Sequence, residues 1–165
     1  MTLIELYDNH KGFATGKFQH YLEIYDRYFV NFKNRPITIV EVGVGGGGSL
    51  QVWERYFNGH AKVYGIDATE KEYLHFDPAG PVKIVYGNQK NRDFWCEFLP
   101  RIEPIDIFID DGGHLSEEQI VTFEEVFPYI ANNGIYICED VQTSYIPKEP
   151  YNGGPGKAGT FIEYC

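Results

Sequence analysis

The chain has 165 residues, 43% of them hydrophobic and 16% aromatic, which is the size and composition of one packed domain. Fourteen basic and twenty-four acidic side chains give a formal net charge of -10. That charge opposes binding to nucleic acid or to an anionic membrane surface. Without a membrane-spanning apolar run or a signal-peptide pattern, the chain is predicted to be cytoplasmic. The three cysteines, Cys96, Cys138 and Cys165, have no CxxC spacing, which argues against a disulfide framework or a zinc site and predicts small buried residues.

Strands and helices are predicted to alternate along the chain. Aromatic residues spaced by three and four predict an amphipathic helix over 18–32. Strands are predicted at 37–42, 62–67, 82–86, 105–109 and 134–138, with helices after residue 49, at 92–99 and at 116–127. Ser49 and Ser116 are predicted to cap their helices. The alternation predicts an α/β fold with a doubly wound, mostly parallel sheet. We expect a single domain over 1–165, with a helical segment over about 1–35 and a Rossmann-like core over about 36–165.

A glycine loop follows the first predicted strand. Gly43, Gly45 and Gly48 satisfy the GxGxxG pattern between a strand and a helix, where backbone N–H groups can approach a nucleotide-like ligand. Asp67 ends the next strand, and its carboxylate can accept hydrogen bonds from the ribose hydroxyls of an adenosine. The pattern therefore predicts adenosine binding, with a purely structural turn as the alternative.

Glu41 bears on which adenosine ligand is bound. A carboxylate two residues before the first glycine repels a pyrophosphate but suits a ligand that carries an ammonium or sulfonium group. S-adenosylmethionine is therefore favoured over NAD, whose use by an oxidoreductase remains the alternative. Glu41 could instead be a strand-end carboxylate that backbone amides satisfy.

Carboxylates also end the last two predicted strands. Asp110 and Asp111 follow the fourth strand, and Glu139 and Asp140 follow the fifth. Because neighbouring parallel strands open into one crevice at their carboxyl ends, these acids should converge and repel one another unless a cation neutralises them. Oxygen ligands suit Mg²⁺ or Mn²⁺, whereas separate pairing with helix ends or lysines is the alternative. His114, in the adjoining turn, has the reach of a general base.

Four segments resemble a known family. They are Glu41-Val-Gly-Val-Gly-Gly-Gly, Tyr64-Gly-Ile-Asp67, Ile109-Asp-Asp-Gly-Gly-His114 and Gly134-Ile-Tyr-Ile-Cys-Glu-Asp-Val-Gln-Thr-Ser-Tyr145. The sequence resembles class I S-adenosylmethionine-dependent methyltransferases, and more narrowly the metal-dependent sugar O-methyltransferases of macrolide tailoring and the related cephalosporin hydroxylase group. The resemblance implies methyl transfer to a hydroxyl of a sugar or another small molecule.

The resemblance also implies roles for particular residues. It assigns magnesium binding to Asp111, Glu139 and Asp140, and general-base catalysis to His114.

On the cofactor side, the resemblance implies that Glu41, Gly43 and Gly45 face the methionine part and Asp67 the ribose, with Gln89 near the adenine. Asp110 is grouped with the cofactor-binding residues, although a structural role for it stays open. Lys11 and the 19–21 segment resemble a part of the family that closes over the cofactor. Asn88 stands where the family often has aspartate, so its cofactor role stays in doubt.

The chain ends soon after the fifth predicted strand, whereas the resembling fold continues with an antiparallel pair of strands. The predicted sheet therefore lacks its last two strands and has an exposed edge. Either the sequence is a fragment, which could be a non-catalytic cofactor-binding module, or a partner such as a second copy covers that edge.

Overall fold

A computed structural model describes residues 1–70 and 74–165. These residues form a five-stranded sheet with the strands β1 (Ile37–Val42), β2 (Ala61–Asp67), β3 (Val82–Tyr86), β4 (Ile105–Asp110) and β5 (Ile130–Cys138). The strand order is β3-β2-β1-β4-β5, and every pair is parallel. The order reverses between β1 and β4, which opens a crevice at the carboxyl ends of these two strands.

Helices cover both faces of this sheet. They are α1 (Leu3–Asp8), α2 (Gln19–Phe29), α3 (Gly48–Tyr56), α4 (Arg92–Phe98), α5 (Ser116–Val126) and α6 (Phe161–Tyr164). Single 3₁₀ turns occur at Val30–Phe32, Leu99–Arg101, Phe127–Tyr129 and Val141–Tyr145. One apolar core packs α1, α2 and α3 on one face of the sheet, and a second packs α4 and α5 on the other. The predicted doubly wound α/β fold is therefore confirmed.

The central strands explain the position of the crevice. All six residues of β1 are buried, and alternate side chains enter the two cores, with Ile39 in one and Val40 in the other. A strand buried on both faces must be apolar almost throughout, as in a parallel sheet covered by helices. Polar residues therefore accumulate where β1 and β4 end, which is where the crevice lies.

Several local predictions were wrong. Gly47, in the left-handed region at φ +84°, is the N-cap of α3, so Ser49 lies inside the helix. Leu115 is the N-cap of α5, and Ser116 is its first residue.

The prediction that the cysteines are buried was also wrong. Cys96 and Cys165 are exposed, and Cys138 is partly buried. Among the described residues, no helix is both long enough and apolar enough to cross a membrane.

Candidate functional site

Gly43 is the point at which the loops after β1 and β4 touch. Its N–H donates to Ile66 O at 2.8 Å, and Asp111 N–H donates to Val42 O at 3.0 Å. Gly43 has φ +89°, and a Cβ there would lie 1.9 Å from Asp111 O. Because any side chain would collide with that backbone oxygen, glycine is required for the two loops to meet.

Two cavities of about 250 Å³ each meet at Gly43. The first, here called the glycine-loop cavity, is lined by Ala14, Thr15, Gly16, Lys17, Gly43, Val44, Gly45, Gly46, Ser49 and Asp111. The second, the strand-end cavity, is lined by Val42, Gly43, Ile66, Asp67, Ala68, Asn88, Gln89, Gly112, Gly113 and Glu118. Because Gly43 lines both, the two cavities adjoin at the ends of the central strands, and we call the pair the cofactor cleft.

A lysine is surrounded by carboxylates beside the glycine-loop cavity. Lys17 Nζ lies 3.0 Å from Glu41 Oε1, 2.7 Å from Asp111 Oδ2 and 2.6 Å from Glu139 Oε1. The Lys17 side chain is 2% exposed. Burial disfavours its charge, but attraction to these three carboxylates holds the pKa of Lys17 well above the usual value. We call the four acids Glu41, Asp111, Glu139 and Asp140 the carboxylate centre.

Two tyrosines of α2 also reach the carboxylate centre. The Tyr25 hydroxyl donates to Glu139 Oε1, and the Tyr21 hydroxyl donates to Asp140 Oδ1 at 3.1 Å. Burial raises the pKa of Tyr25, so the hydroxyl remains a donor. Burial also raises the pKa of Glu139 to about 7, against the opposing attraction of Lys17. Glu41 Oε2 accepts from Trp53 Nε1 at 2.7 Å.

Three side chains at this centre could together hold a metal ion. Ligand atoms of Asp111, His114 and Asp140 all lie within 4.8 Å of one another. His114 Nε2 is 3.9 Å from Asp111 Oδ1 and 3.6 Å from Asp140 Oδ2. The predicted turn position of His114 is confirmed, at φ +57° ahead of α5. Carboxylate oxygens are ligands for Mg²⁺, and an imidazole nitrogen also suits Mn²⁺ and other transition metals.

Asp110 points away from this group into a buried network. Its Oδ1 accepts from Gln89 Nε2 at 3.1 Å, and Gln89 Nε2 also lies 3.1 Å from Thr122 Oγ1. Gln89 Oε1 accepts from Gly113 N–H at 2.8 Å. Burial raises the pKa of Asp110 to about 7 despite these hydrogen bonds. Asp110 and Gln89 therefore brace the turn after β4, and Gln89 also lines the strand-end cavity.

Asp67 and Asn88 line the strand-end cavity from its other side. Asp67 Oδ1 accepts from Thr69 N–H at 2.9 Å, and Asn88 Oδ1 accepts from Lys90 N–H at 2.9 Å. The Asn88 side chain is exposed.

The N-terminal segment over residues 10–17 lies against the start of α3, and its residues 14–17 line the glycine-loop cavity. Phe13 N–H donates to Gln51 Oε1 at 2.8 Å, and Ala14 O accepts from Gly48 N–H at 3.0 Å. A Cβ on Gly48 would lie 2.3 Å from Phe13 O. The start of α3 is therefore covered by the chain itself, and we call residues 10–17 the N-terminal strap.

The residues predicted from the sequence thus divide between two neighbouring regions. One region is the carboxylate centre of Glu41, Asp111, Glu139 and Asp140, with His114 beside it. The other is the strand-end cavity, with Asp67, Gln89 and Asp110 in or beside it. Sequence reasoning missed Lys17. No motif marks a lysine 94 and 122 residues away from its partners Asp111 and Glu139, although the excess of acids at the strand ends indicated that some cation was needed.

No protein-family model matches the chain. It is 40% identical over 134 residues to the 8-demethyl-8-α-L-rhamnosyl tetracenomycin-C 2'-O-methyltransferase of Streptomyces olivaceus, a match that covers 77% of this chain and 34% of that protein. It is also 34% identical over 130 residues to the mycinamicin VI 2''-O-methyltransferase of Micromonospora griseorubida, covering 74% of this chain and 32% of that protein. The chain therefore spans about a third of the length of these curated relatives.

Solved structures are similar over nearly the whole chain. The MycE methyltransferase of the mycinamycin biosynthetic pathway, in complex with Mg and SAH, superposes with a TM-score of 0.87 at 29% identity. The match covers 99% of this chain and 43% of the MycE chain. A second MycE structure, which also contains mycinamycin VI, has the same TM-score of 0.87.

Proposed function

We propose that this chain, which is related to the S-adenosylmethionine-dependent sugar O-methyltransferases of macrolide biosynthesis, binds S-adenosylmethionine and a divalent cation. It would support methyl transfer to a hydroxyl of a sugar or of another small natural-product acceptor. The observation that carries the proposal is the junction at Gly43, where two cavities adjoin beside a centre of converging carboxylates.

The cofactor would lie along this cleft. Asp67 would accept hydrogen bonds from the ribose hydroxyls in the strand-end cavity. The methionine part would extend past Gly43 and Gly45, where the carboxylates of Glu41, Asp111 and Glu139 outnumber the single positive charge of Lys17 and so favour an ammonium or sulfonium group. Gln89 would act mainly by holding the turn that forms the floor of the adenosine site.

The donor set fits a divalent cation. Asp111 and Asp140 would hold it together with Glu139, and His114, whose Nε2 lies beside both aspartates, would serve as the base. A bound cation lowers the pKa of a coordinated hydroxyl, as it does for water.

His114 would accept the proton of the acceptor hydroxyl while Asp140, 3.6 Å away, stabilises the resulting imidazolium. Bound S-adenosylmethionine would supply the methyl group: the alcohol oxygen would form the new bond to the methyl carbon as the carbon–sulfur bond breaks, with S-adenosylhomocysteine as the leaving group.

A nicotinamide dinucleotide suits this cleft less well. Pyrophosphates bind to free N–H groups at a helix N-terminus, yet Gly48 N–H at the start of α3 already donates to Ala14 O. The carboxylates around Lys17 outnumber its single positive charge, so they would also repel a pyrophosphate. The oxidoreductase alternative therefore has weaker support than methyl transfer.

Calorimetric titration with S-adenosylhomocysteine, with NAD as the comparison ligand, tests the cofactor assignment. We expect S-adenosylhomocysteine binding that is stronger with Mg²⁺ than with EDTA, and much weaker binding of NAD. Tight NAD binding without S-adenosylhomocysteine binding would refute the proposal.

Transfer from labelled S-adenosylmethionine to sugar-bearing macrolides tests the reaction, with His114→Asn as the matched variant. We expect this variant to bind S-adenosylhomocysteine normally but to transfer methyl groups at least about 100-fold more slowly. If it also loses Mg²⁺ affinity, then His114 is a metal ligand and not the base. Normal cofactor binding by the wild-type chain without transfer would favour a cofactor-binding fragment instead.

A further inference from the structure

Lys17 occupies the position where a cation would be expected. Its ammonium group lies within 3.0 Å of carboxylate oxygens of Glu41, Asp111 and Glu139. The side chains of Glu41 and Glu139 are 0% and 5% exposed. Taking such carboxylates out of water without a counter-charge is very unfavourable. Lys17 therefore supplies the positive charge that lets these carboxylates be buried together.

This pairing divides the acids at the site into two groups. Glu41 and Glu139 are turned towards Lys17, and Glu139 also accepts from Tyr25. Asp140 faces His114, and Asp111 contacts both groups through different oxygens, Oδ2 to Lys17 and Oδ1 to His114. A divalent cation can therefore approach Asp111 and Asp140 directly, whereas it must compete with Lys17 for Glu139.

Lys17 also ends the N-terminal strap, which forms one wall of the glycine-loop cavity. Ala14 of the strap is held by the hydrogen bond from Gly48 N–H, and Lys17, three residues later, is held by the carboxylates. These two attachments fix the backbone of residues 14–17 beside the glycine loop. Lys17 is therefore the side-chain anchor at the end of this wall that leads into α2.

We infer that Lys17 is a positioning residue: it is the internal counter-cation of Glu41, Asp111 and Glu139, and it fastens the strap along the cofactor cleft. The inference deepens the proposed function and rests on it for the identity of the cofactor. It implies that Lys17 and a divalent cation compete for the carboxylate centre. Loss of Lys17 should therefore weaken cofactor binding and strengthen the response to the metal.

The test compares wild type with Lys17→Met, which keeps the length of the side chain but removes its charge. Lys17→Arg keeps the charge, and Lys90→Met is the matched control because Lys90 is an exposed lysine paired with Glu117. The melting temperature is measured in EDTA and in Mg²⁺, and S-adenosylhomocysteine affinity is measured by calorimetry. A role in packing alone would not alter the size of the Mg²⁺-induced shift.

For Lys17→Met we expect a lower melting temperature in EDTA and a Mg²⁺-induced rise that exceeds that of wild type by at least about 3 °C. We also expect at least about tenfold weaker S-adenosylhomocysteine binding. Lys17→Arg and Lys90→Met should show the Mg²⁺ response of wild type. Equal Mg²⁺ responses of wild type and Lys17→Met, including no response in either, would overturn the inference.

If Lys17→Met does not fold in either condition, the double variant Lys17→Met with Glu139→Gln decides. Recovery of cooperative unfolding supports the inference, because one unpaired buried charge has been removed, and failure to recover overturns it. Failure of the wild-type chain to bind S-adenosylhomocysteine would refute the proposed cofactor instead. The comparison of Mg²⁺ responses would still decide the role of Lys17.

Discussion

The carboxylate centre and the strand-end cavity lie on opposite sides of Gly43, and the acids in these two regions differ in exposure and in their partners. At the carboxylate centre, Asp111 is partly exposed and faces Lys17 and His114. Beside the strand-end cavity, Asp110 is 1% exposed and faces the amide of Gln89. Asp110 is the last residue of β4 and Asp111 is the first residue after it, and their side chains have different partners, so Asp111 is available for cation chemistry while Asp110 braces a turn.

Substitution of Gly43 should break both regions at once and has the largest expected effect. In Gly43→Ala the new Cβ would collide with Asp111 O, and alanine is strained at φ +89°. We expect a loss of about 3 kcal/mol or more in the free energy of unfolding and no measurable S-adenosylhomocysteine binding. The matched control is Gly45→Ala, where φ is +52° and the new Cβ would have no heavy atom within 4 Å other than those of Gly45 and its two chain neighbours. It should cost only about 1 kcal/mol. An equal loss in the free energy of unfolding for the two changes would contradict the account of Gly43.

The two aspartates can be separated by their effect on metal binding. Asp111→Asn removes a proposed ligand and should weaken Mg²⁺ binding by more than about 100-fold, beyond the range for residues that act through a ligand. Asp110→Asn should change it by less than about tenfold. Calorimetric titration with Mg²⁺ measures the affinity of both variants. A larger loss for Asp110→Asn would reverse the assignment.

The pH dependence of stability sharpens the comparison further. The pKa of Asp110 is raised from 3.8 to about 7 by burial, so folding favours its protonated form. The contribution of Asp110 to the free energy of unfolding is most favourable below about pH 4, and it is lost as the pH rises through about 7. In EDTA, the free energy of unfolding should fall across this window, and Glu139 should add to the slope because its pKa is also raised to about 7.

Asp110→Asn should make the pH dependence in EDTA shallower, by a few kcal/mol at most across the window. Urea unfolding at several pH values measures this slope. An unchanged slope in the variant would contradict the assignment to Asp110.

The smallest effects are expected within the strand-end cavity. Asp67→Asn replaces a charged acceptor with a neutral one and should weaken S-adenosylhomocysteine binding by about tenfold. Asn88→Ala should change that affinity by less than about threefold, because the Asn88 side chain is exposed. Calorimetry on the two variants provides the comparison, and similar losses for both would place Asn88 in the binding site.

The sequence predicted the features that depend on local patterns. The apolar runs of β1 and β4 specify buried parallel strands, and such strands must deliver the residues that follow them, including Asp111, to a common crevice. Cap positions were predicted less well, because a left-handed Gly47 starts α3 ahead of Ser49.

Lys17 could not be predicted, since its role depends on partners at positions 41, 111 and 139 that only the folded chain assembles. The same holds for Gln89, whose backing of the turn after β4 appears only once α5 and β4 are packed together.

The strap has a consequence for how the protein is divided into units. A recombinant chain that began at β1 would retain all the strands of the described sheet, and a definition of the domain based on the sheet alone would accept it as complete. It would nevertheless lack Ala14, Lys17 and the tyrosines of α2 that reach the carboxylates. The stretch of sequence that assembles the carboxylate centre therefore begins upstream of the stretch that builds the sheet.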